Sequence, residues 1–160
     1  MKTSYLFIFL IVFTILIAEN TDCEIYKSFS DKTILSDIFE IPGSKVFVCH
    51  KLGECPPCVI HYEEYFLSSS IENIESKIYF YFLSDDTQEL KKFINGYRTS
   101  FNKGGVDIDC FLSFFSKEPP KYWPFLIIQA DDSLIVLDYP SPKDDGFEEI
   151  DSLIQSLFVK

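Results

Sequence analysis

The chain has 160 residues, 47% of them hydrophobic, which suits one domain with a real core. A formal net charge of −11, a pI of about 4.5 and the lack of any basic cluster argue against nucleic acid and anionic membrane surfaces as partners. Five cysteines are too few for a disulfide-dense scaffold and too many to ignore.

The N-terminus reads as an export signal. Lys2 is the only charge before Glu19, and the run from Tyr5 to Ala18 is apolar apart from Thr14. Such a run is long for a signal core and short for a membrane span. Residues 1–18 are therefore expected to be a signal peptide with Ala18 as its last residue. An N-terminal anchor that stays uncleaved is the alternative, because Leu16 is a poor residue at the −3 position. Export implies an oxidising compartment: periplasm, secretory lumen or cell exterior. The tail Phe158-Val159-Lys160 carries no ER-retention signal. Residues 19–43 form a mixed, mostly polar lead segment. Its apolar pairs Ile34-Leu35 and Ile38-Phe39 suggest a short strand or turn, closed by the turn signal Pro42-Gly43.

The run Lys45-Val46-Phe47-Val48-Cys49-His50 is nearly continuous in apolar residues and suits a central strand. Gly53-Glu54-Cys55-Pro56-Pro57-Cys58 follows, and then a helix-compatible stretch to about Leu67. Strand, Cys-x-x-Cys, helix is the order a dithiol redox site needs. It puts the first cysteine at a helix N-terminus, where free N–H groups and the positive end of the macrodipole favour a thiolate. Prolines are tolerated in that first turn. Haem attachment is excluded by Val59, which stands where that motif needs histidine. A structural zinc site needs a second ligand pair, and Cys23, Cys49, Cys110, His50 and His61 form none by spacing. A plain structural disulfide stays open as an alternative. Neither a metal nor a cofactor is expected.

In the helix, Val59, Ile60, Tyr62, Phe66 and Leu67 are expected to line the core, with Glu63 and Glu64 in water. After a connection over residues 71–76, the aromatic and β-branched run 77–83 reads as a strand, completing a βαβ unit. Ser84-Asp85-Asp86 is an N-cap cluster opening a helix that ends near Asn95-Gly96. Residues 97–121 read as irregular, with Gly104-Gly105, an aromatic stretch 110–115 that is core or a short helix, and Pro119-Pro120. Strands are expected after Pro124 and over 134–139, paired as an antiparallel hairpin about Asp131-Asp132. After a polar loop over 140–146, Glu148 to Phe158 is an amphipathic helix with Ile150, Leu153, Ile154, Leu157 and Phe158 on one face.

The order β, Cys55-x-x-Cys58, α, β, α, insertion, Pro124, β, β, α resembles the thioredoxin fold from about residue 44 onward. Within that superfamily it is most similar to exported TlpA-like or redoxin-type thiol–disulfide oxidoreductases. The resemblance implies an α/β domain over 44–160, with a central mixed β-sheet flanked by helices and an insertion before the cis-proline strand. It makes Cys55 and Cys58 the catalytic redox-active disulfide, and assigns substrate binding to Trp123 and Pro124, with Pro124 cis. Three positions depart from the family pattern. Glu54 replaces the tryptophan that often precedes the first cysteine. Cys49, six residues before Cys55, stands where many members have a buried acid. The segment ahead of Pro124 is longer than in a minimal thioredoxin.

Cys55 is then the exposed nucleophile and Cys58 the resolving thiol. Glu54 opposes the Cys55 thiolate by like charge. His61 reads as a solvated helix-face residue, with proton transfer as its alternative role. Cys49 reads as a buried, inert thiol. Cys23 and Cys110 could pair, although spacing does not decide connectivity. The expected partners are protein thiols or disulfides and an upstream redox protein, with a membrane involved only if the N-terminal segment is retained. The competing function is a non-catalytic binding or chaperone module of the same fold, its cysteines locked as a structural disulfide.

Overall fold

The computed structural model describes residues 22–28, 30–114, 123–130, 133–137 and 147–158. The expected signal segment 1–18, Pro119-Pro120, the Asp131-Asp132 turn and the loop over 140–146 lie outside the described residues.

The central strand β3 (Lys45–Lys51) leads through a four-residue loop into α2 (Pro56–Leu67), and a 3-10 turn (Ile74–Ser76) leads into β4 (Ile78–Ser84). The helix α3 (Thr87–Gly96) and β5 (Asn102–Asp107) extend the same parallel arrangement. The N-cap cluster acts as its residues imply: the Asp86 carboxylate accepts from the backbone N–H of Gln88 and Glu89. Ahead of β3 lie β1 (Glu24–Tyr26), β2 (Lys32–Ile34) and α1 (Leu35–Glu40). After β5 come α4 (Ile108–Phe114), β6 (Phe125–Ala130), β7 (Ser133–Leu137) and α5 (Glu148–Phe158). The seven strands form one sheet in the order β2-β1-β5-β4-β3-β6-β7. β3, β4 and β5 are parallel; β6 and β7 on one side, and β1 and β2 on the other, run antiparallel to their neighbours.

Side-chain alternation sorts the core into two layers. One layer holds Val46 and Val48 of β3, Phe80 and Phe82 of β4 and Leu126 and Ile128 of β6. On it pack Val59, Tyr62 and Phe66 of α2, Leu90 and Ile94 of α3, and Ile154 of α5. The other holds Phe47, Cys49, Tyr81, Phe125 and Ile127, covered by Leu35 and Ile38 of α1 and Phe111 of α4. The crossovers β3-α2-β4 and β4-α3-β5 step the same way along the sheet. Two crossovers of one hand then place α2 and α3 on one face. Tyr65 of α2 donates a hydrogen bond to Asp151 and locks α5 beside it.

The structure departs from the sequence reading in several places. The lead segment supplies two strands and a helix rather than one strand or turn. Residues 102–107 are a strand, not irregular chain, and both glycines lie inside it. A Cβ on Gly104 would stand 2.3 Å from Ile25 Cγ2, and one on Gly105 would stand 3.1 Å from Ile94 Cγ1. Close approach on both faces of β5, rather than a turn, is why glycine occupies these positions. Ile60 and Leu67 do not line the core: they are 52% and 60% exposed. Glu63, expected in water, is half-buried. The two apolar positions lie on the outer side of α2 because Val59, Tyr62 and Phe66 already fill the inward stripe at helical spacing.

Candidate active site

The loop between β3 and α2 leaves the C-terminal end of the parallel strands. The Leu52 N–H bonds to the Leu83 carbonyl at 2.9 Å and the Glu54 N–H to the Lys51 carbonyl at 3.2 Å, so the turn is tied to both strand ends. Gly53 takes φ +84°, a left-handed conformation that glycine adopts without a steric penalty. The chain then reverses into α2 with Cys55 as its N-cap residue and proline at both of the next two positions.

Cys55 and Cys58 are joined by a disulfide, with S–S 2.01 Å and Cα–Cα 5.4 Å. Cys55 is exposed and Cys58 half-buried. The backbone accounts for the N–H groups at this helix end. Pro56 and Pro57 have none, and that of Cys58 bonds to the Cys55 carbonyl at 3.1 Å. The helix dipole therefore acts on Cys55 with few free N–H donors beside it, fewer than the sequence reading assumed. Glu54, exposed next to Cys55, adds like charge.

Trp123 and Pro124 are joined by a cis peptide bond. Pro124 is buried and Trp123 half-buried, its ring 5.3 Å from that of Phe125. The register pairs Phe125 with Cys49, at the end of β3 from which the Cys55–Cys58 loop departs. The fold thus brings Trp123 and Pro124 to the same edge of the sheet as the Cys55–Cys58 loop. His61 is half-buried on α2.

Counting six residues back from Cys55 leads to Cys49, but the pleat turns that side chain away from α2. Cys49 is a buried free thiol in the layer under α1 and α4, next to Tyr81 and Phe125 in register. Burial raises its pKa well above the ordinary thiol range, which leaves it unreactive. His50 takes the other side. It is 4% exposed, aligned with Phe82 in register, and meets that ring edge-on at 6.2 Å. Burial lowers its pKa to about 4, so the imidazole is neutral at pH 7. The sequence reading placed His50 at the strand end and gave it no role. Its alternation with Val46 and Val48 was the available signal.

A second disulfide joins Cys23 to Cys110 across 87 residues, with Cα–Cα 5.7 Å. It ties the approach to β1 to α4, on the face away from α2.

No protein-family model matches the chain, and no curated protein matches it. Among solved structures the chain is similar to BsSco, a member of the Sco family of cytochrome c oxidase assembly proteins in which a disulfide switch has been identified. The identity is 17%, over 91% of this chain and 96% of that one, with a TM-score of 0.55. It is also similar to a proposed thiol–disulfide oxidoreductase from Bacteroides vulgatus, at 20% identity over 86% of this chain and 92% of that one, with a TM-score of 0.53. A thioredoxin-like protein from Bacteroides caccae aligns at 12% identity over 89% of this chain and 50% of that one, with a TM-score of 0.55. At such identities the likeness is one of fold. The chain has a thioredoxin-like fold, a mixed sheet flanked by helices, with β5 and α4 filling the expected insertion ahead of the Pro124 strand.

Proposed function

We propose that this protein is a thiol–disulfide oxidoreductase acting on protein thiols or disulfides in an oxidising compartment outside the cytoplasm. The observation that carries the proposal is the pairing of an exposed Cys55 at a helix N-terminus with a half-buried Cys58 in a short disulfide ring. In the reduced form the Cys55 thiolate attacks a substrate disulfide and forms a mixed disulfide. Cys58 then attacks Cys55 and releases the reduced substrate; the reverse sequence oxidises a substrate dithiol. Trp123 and Pro124, at the same sheet edge, form the substrate side of the site. The long-range Cys23–Cys110 bond supports export, since such bonds persist where thiols are not kept reduced. No helix among the described residues is long and apolar enough to cross a membrane. Under this reading residues 1–18 are the export segment and 44–160 the redox domain.

One observation favours a second reading, a binding module with a static disulfide. The prolines strip N–H donors from the Cys55 end of α2, which weakens thiolate stabilisation. Trapping separates the two. Cys58→Ser should accumulate mixed disulfides through Cys55 in oxidised extracts, visible as reductant-sensitive adducts by mass spectrometry, and Cys55→Ser should accumulate none. A folded Cys58→Ser protein that traps nothing would favour the static module.

A further inference from the structure

Four large apolar side chains are exposed among the described residues, and two of them belong to one helix. Ile60 and Leu67 of α2 stand seven residues apart, two helical turns, on the side away from the sheet. Pro57 comes three residues before Ile60, and Glu64 comes four after Ile60 and three before Leu67. Residues at these spacings are neighbours on a helix surface. Pro57, Ile60, Glu64 and Leu67 are all exposed, so they form one continuous ridge. The ridge starts between the two cysteines and runs the length of α2.

The charge around the cysteine end of this ridge has one sign. The chain leaves the C-terminal ends of β3, β4 and β5 side by side in the sheet. The segments there carry Glu54, Asp85, Asp86, Glu89 and Asp109, all exposed, against Lys51. The Leu52 N–H bond to the Leu83 carbonyl holds the first two segments together. Lys91, one turn further along α3, is turned to the Tyr26 ring. The segments entering the opposite ends of β4 and β5 carry Lys77, Arg98 and Lys103 against Glu72 and Glu75. The acidity is therefore concentrated at the cysteine end rather than spread evenly over the chain. Neighbouring strands lie about 5 Å apart and salt screens charge over about 10 Å at 0.1 M, so carboxylates on adjacent segments act together on an approaching molecule.

We propose that the outer ridge of α2 and the acidic segments beside it dock a positively charged protein partner, which presents its disulfide or dithiol to Cys55. The inference rests on the exchange reading and adds to it the class of partner. Pro57, Ile60 and Leu67 supply apolar area to bury, and the carboxylates around Cys55 steer lysine- and arginine-rich surfaces toward it. The same charge disfavours the other occupants of an exposed helix face. A second copy of this chain also carries a net charge of −11, and an anionic lipid surface is repelled for the same reason.

The test uses two synthetic peptides, each with one cysteine activated as its thionitrobenzoate mixed disulfide. One peptide has lysine and leucine beside the cysteine, the other glutamate and leucine. In the Cys58→Ser protein the Cys55 thiolate attacks the peptide sulfur, and thionitrobenzoate leaves with the electron pair of the broken bond and is read by its absorbance. Each rate is divided by that of 2-mercaptoethanol with the same peptide, which removes differences in intrinsic reactivity. At about 10 mM salt the lysine peptide should be captured about 10- to 100-fold faster than the glutamate peptide, and the ratio should fall to about threefold or less at about 0.5 M. Glu64→Lys combined with Asp85→Lys should bring the low-salt ratio below about threefold. Ile60→Ser combined with Leu67→Ser should slow capture of the lysine peptide about five- to tenfold at either salt level. Those serine variants should leave the small neutral reagent 2,2′-dithiodipyridine within about twofold, because it spans too little of the ridge. Equal normalised rates for the two peptides at low salt, or a ratio that the charge reversals leave unchanged, would overturn the docking surface. Unchanged capture in the serine variants would overturn it as well, and so would self-association of the wild-type protein that those variants abolish. Reduced wild-type protein that captures the lysine peptide and never frees it through Cys58 overturns the exchange reading instead, and is told apart by its intact charge ratio.

Discussion

The two disulfides differ in span and burial. Cys55–Cys58 closes a ring of sequence separation 3 on an exposed loop. Opening it frees two thiols without detaching any strand or helix from the sheet. Cys23–Cys110 spans 87 residues, starts from a cysteine with no exposed surface, and joins the N-terminal lead to α4. Reducing it would remove the one disulfide cross-link among the described residues between this lead segment and α4. Under the proposed exchange function, the same bond chemistry is reversible where the chain is short and solvated, and structural where it is long and buried. Span and burial, more than the identity of the bond, separate a reactive disulfide from a staple.

The largest expected effect tests that contrast directly. Replacing Cys23 and Cys110 with serine should cost about 4–5 kcal/mol in urea unfolding, from the chain entropy regained by the unfolded state. Replacing Cys55 and Cys58 should cost about 2 kcal/mol or less by the same reasoning. Equal costs would erase the distinction between the regions.

A second test sharpens the active-site half. His50 has a folded pKa of about 4 against an ordinary 6.5. Between those values the unfolded chain binds the proton and the folded chain does not. Stability from this group is therefore fully present above pH 6.5 and lost as pH falls toward 4, by about 3 kcal/mol. His50→Phe should flatten that part of the pH dependence in urea titrations. Removing Cys23–Cys110 should lower the whole curve without changing its slope there.

The smallest effect probes the stapled half. Gly104→Ala puts a methyl group against Ile25 and should cost about 1–3 kcal/mol. Ile25→Ala should then cost less in the Gly104→Ala background than in the wild type, a coupling measurable by a double-mutant cycle.

Much of this architecture could be read from local patterns. The redox helix and the C-terminal helix begin and end where their prolines and apolar spacing place them, and Asp86 caps α3 as its position suggests. The strands β3, β4 and β6 announced themselves as dense runs of β-branched and aromatic residues. β5 did not, because glycines that serve close packing look the same in sequence as glycines that serve a turn. Ile60 and Leu67 misled in the other direction: hydrophobicity marks a residue that could be buried, but the outward stripe of α2 leaves these two in water.

By itself the sequence determined the local features: two cysteines separated by two residues, prolines in a helix first turn, a proline opening a late strand, and an acidic net charge. Those follow from residue type and short-range spacing, which act over a few residues along the chain. Only the tertiary structure decided which cysteines pair over a long span, which edge of the sheet brings Trp123 to the redox loop, and that His50 rather than Cys49 lies beneath α2. The reason is the pleat. Neighbouring residues on a strand face opposite layers, and what fills each layer is set by helices from distant parts of the chain.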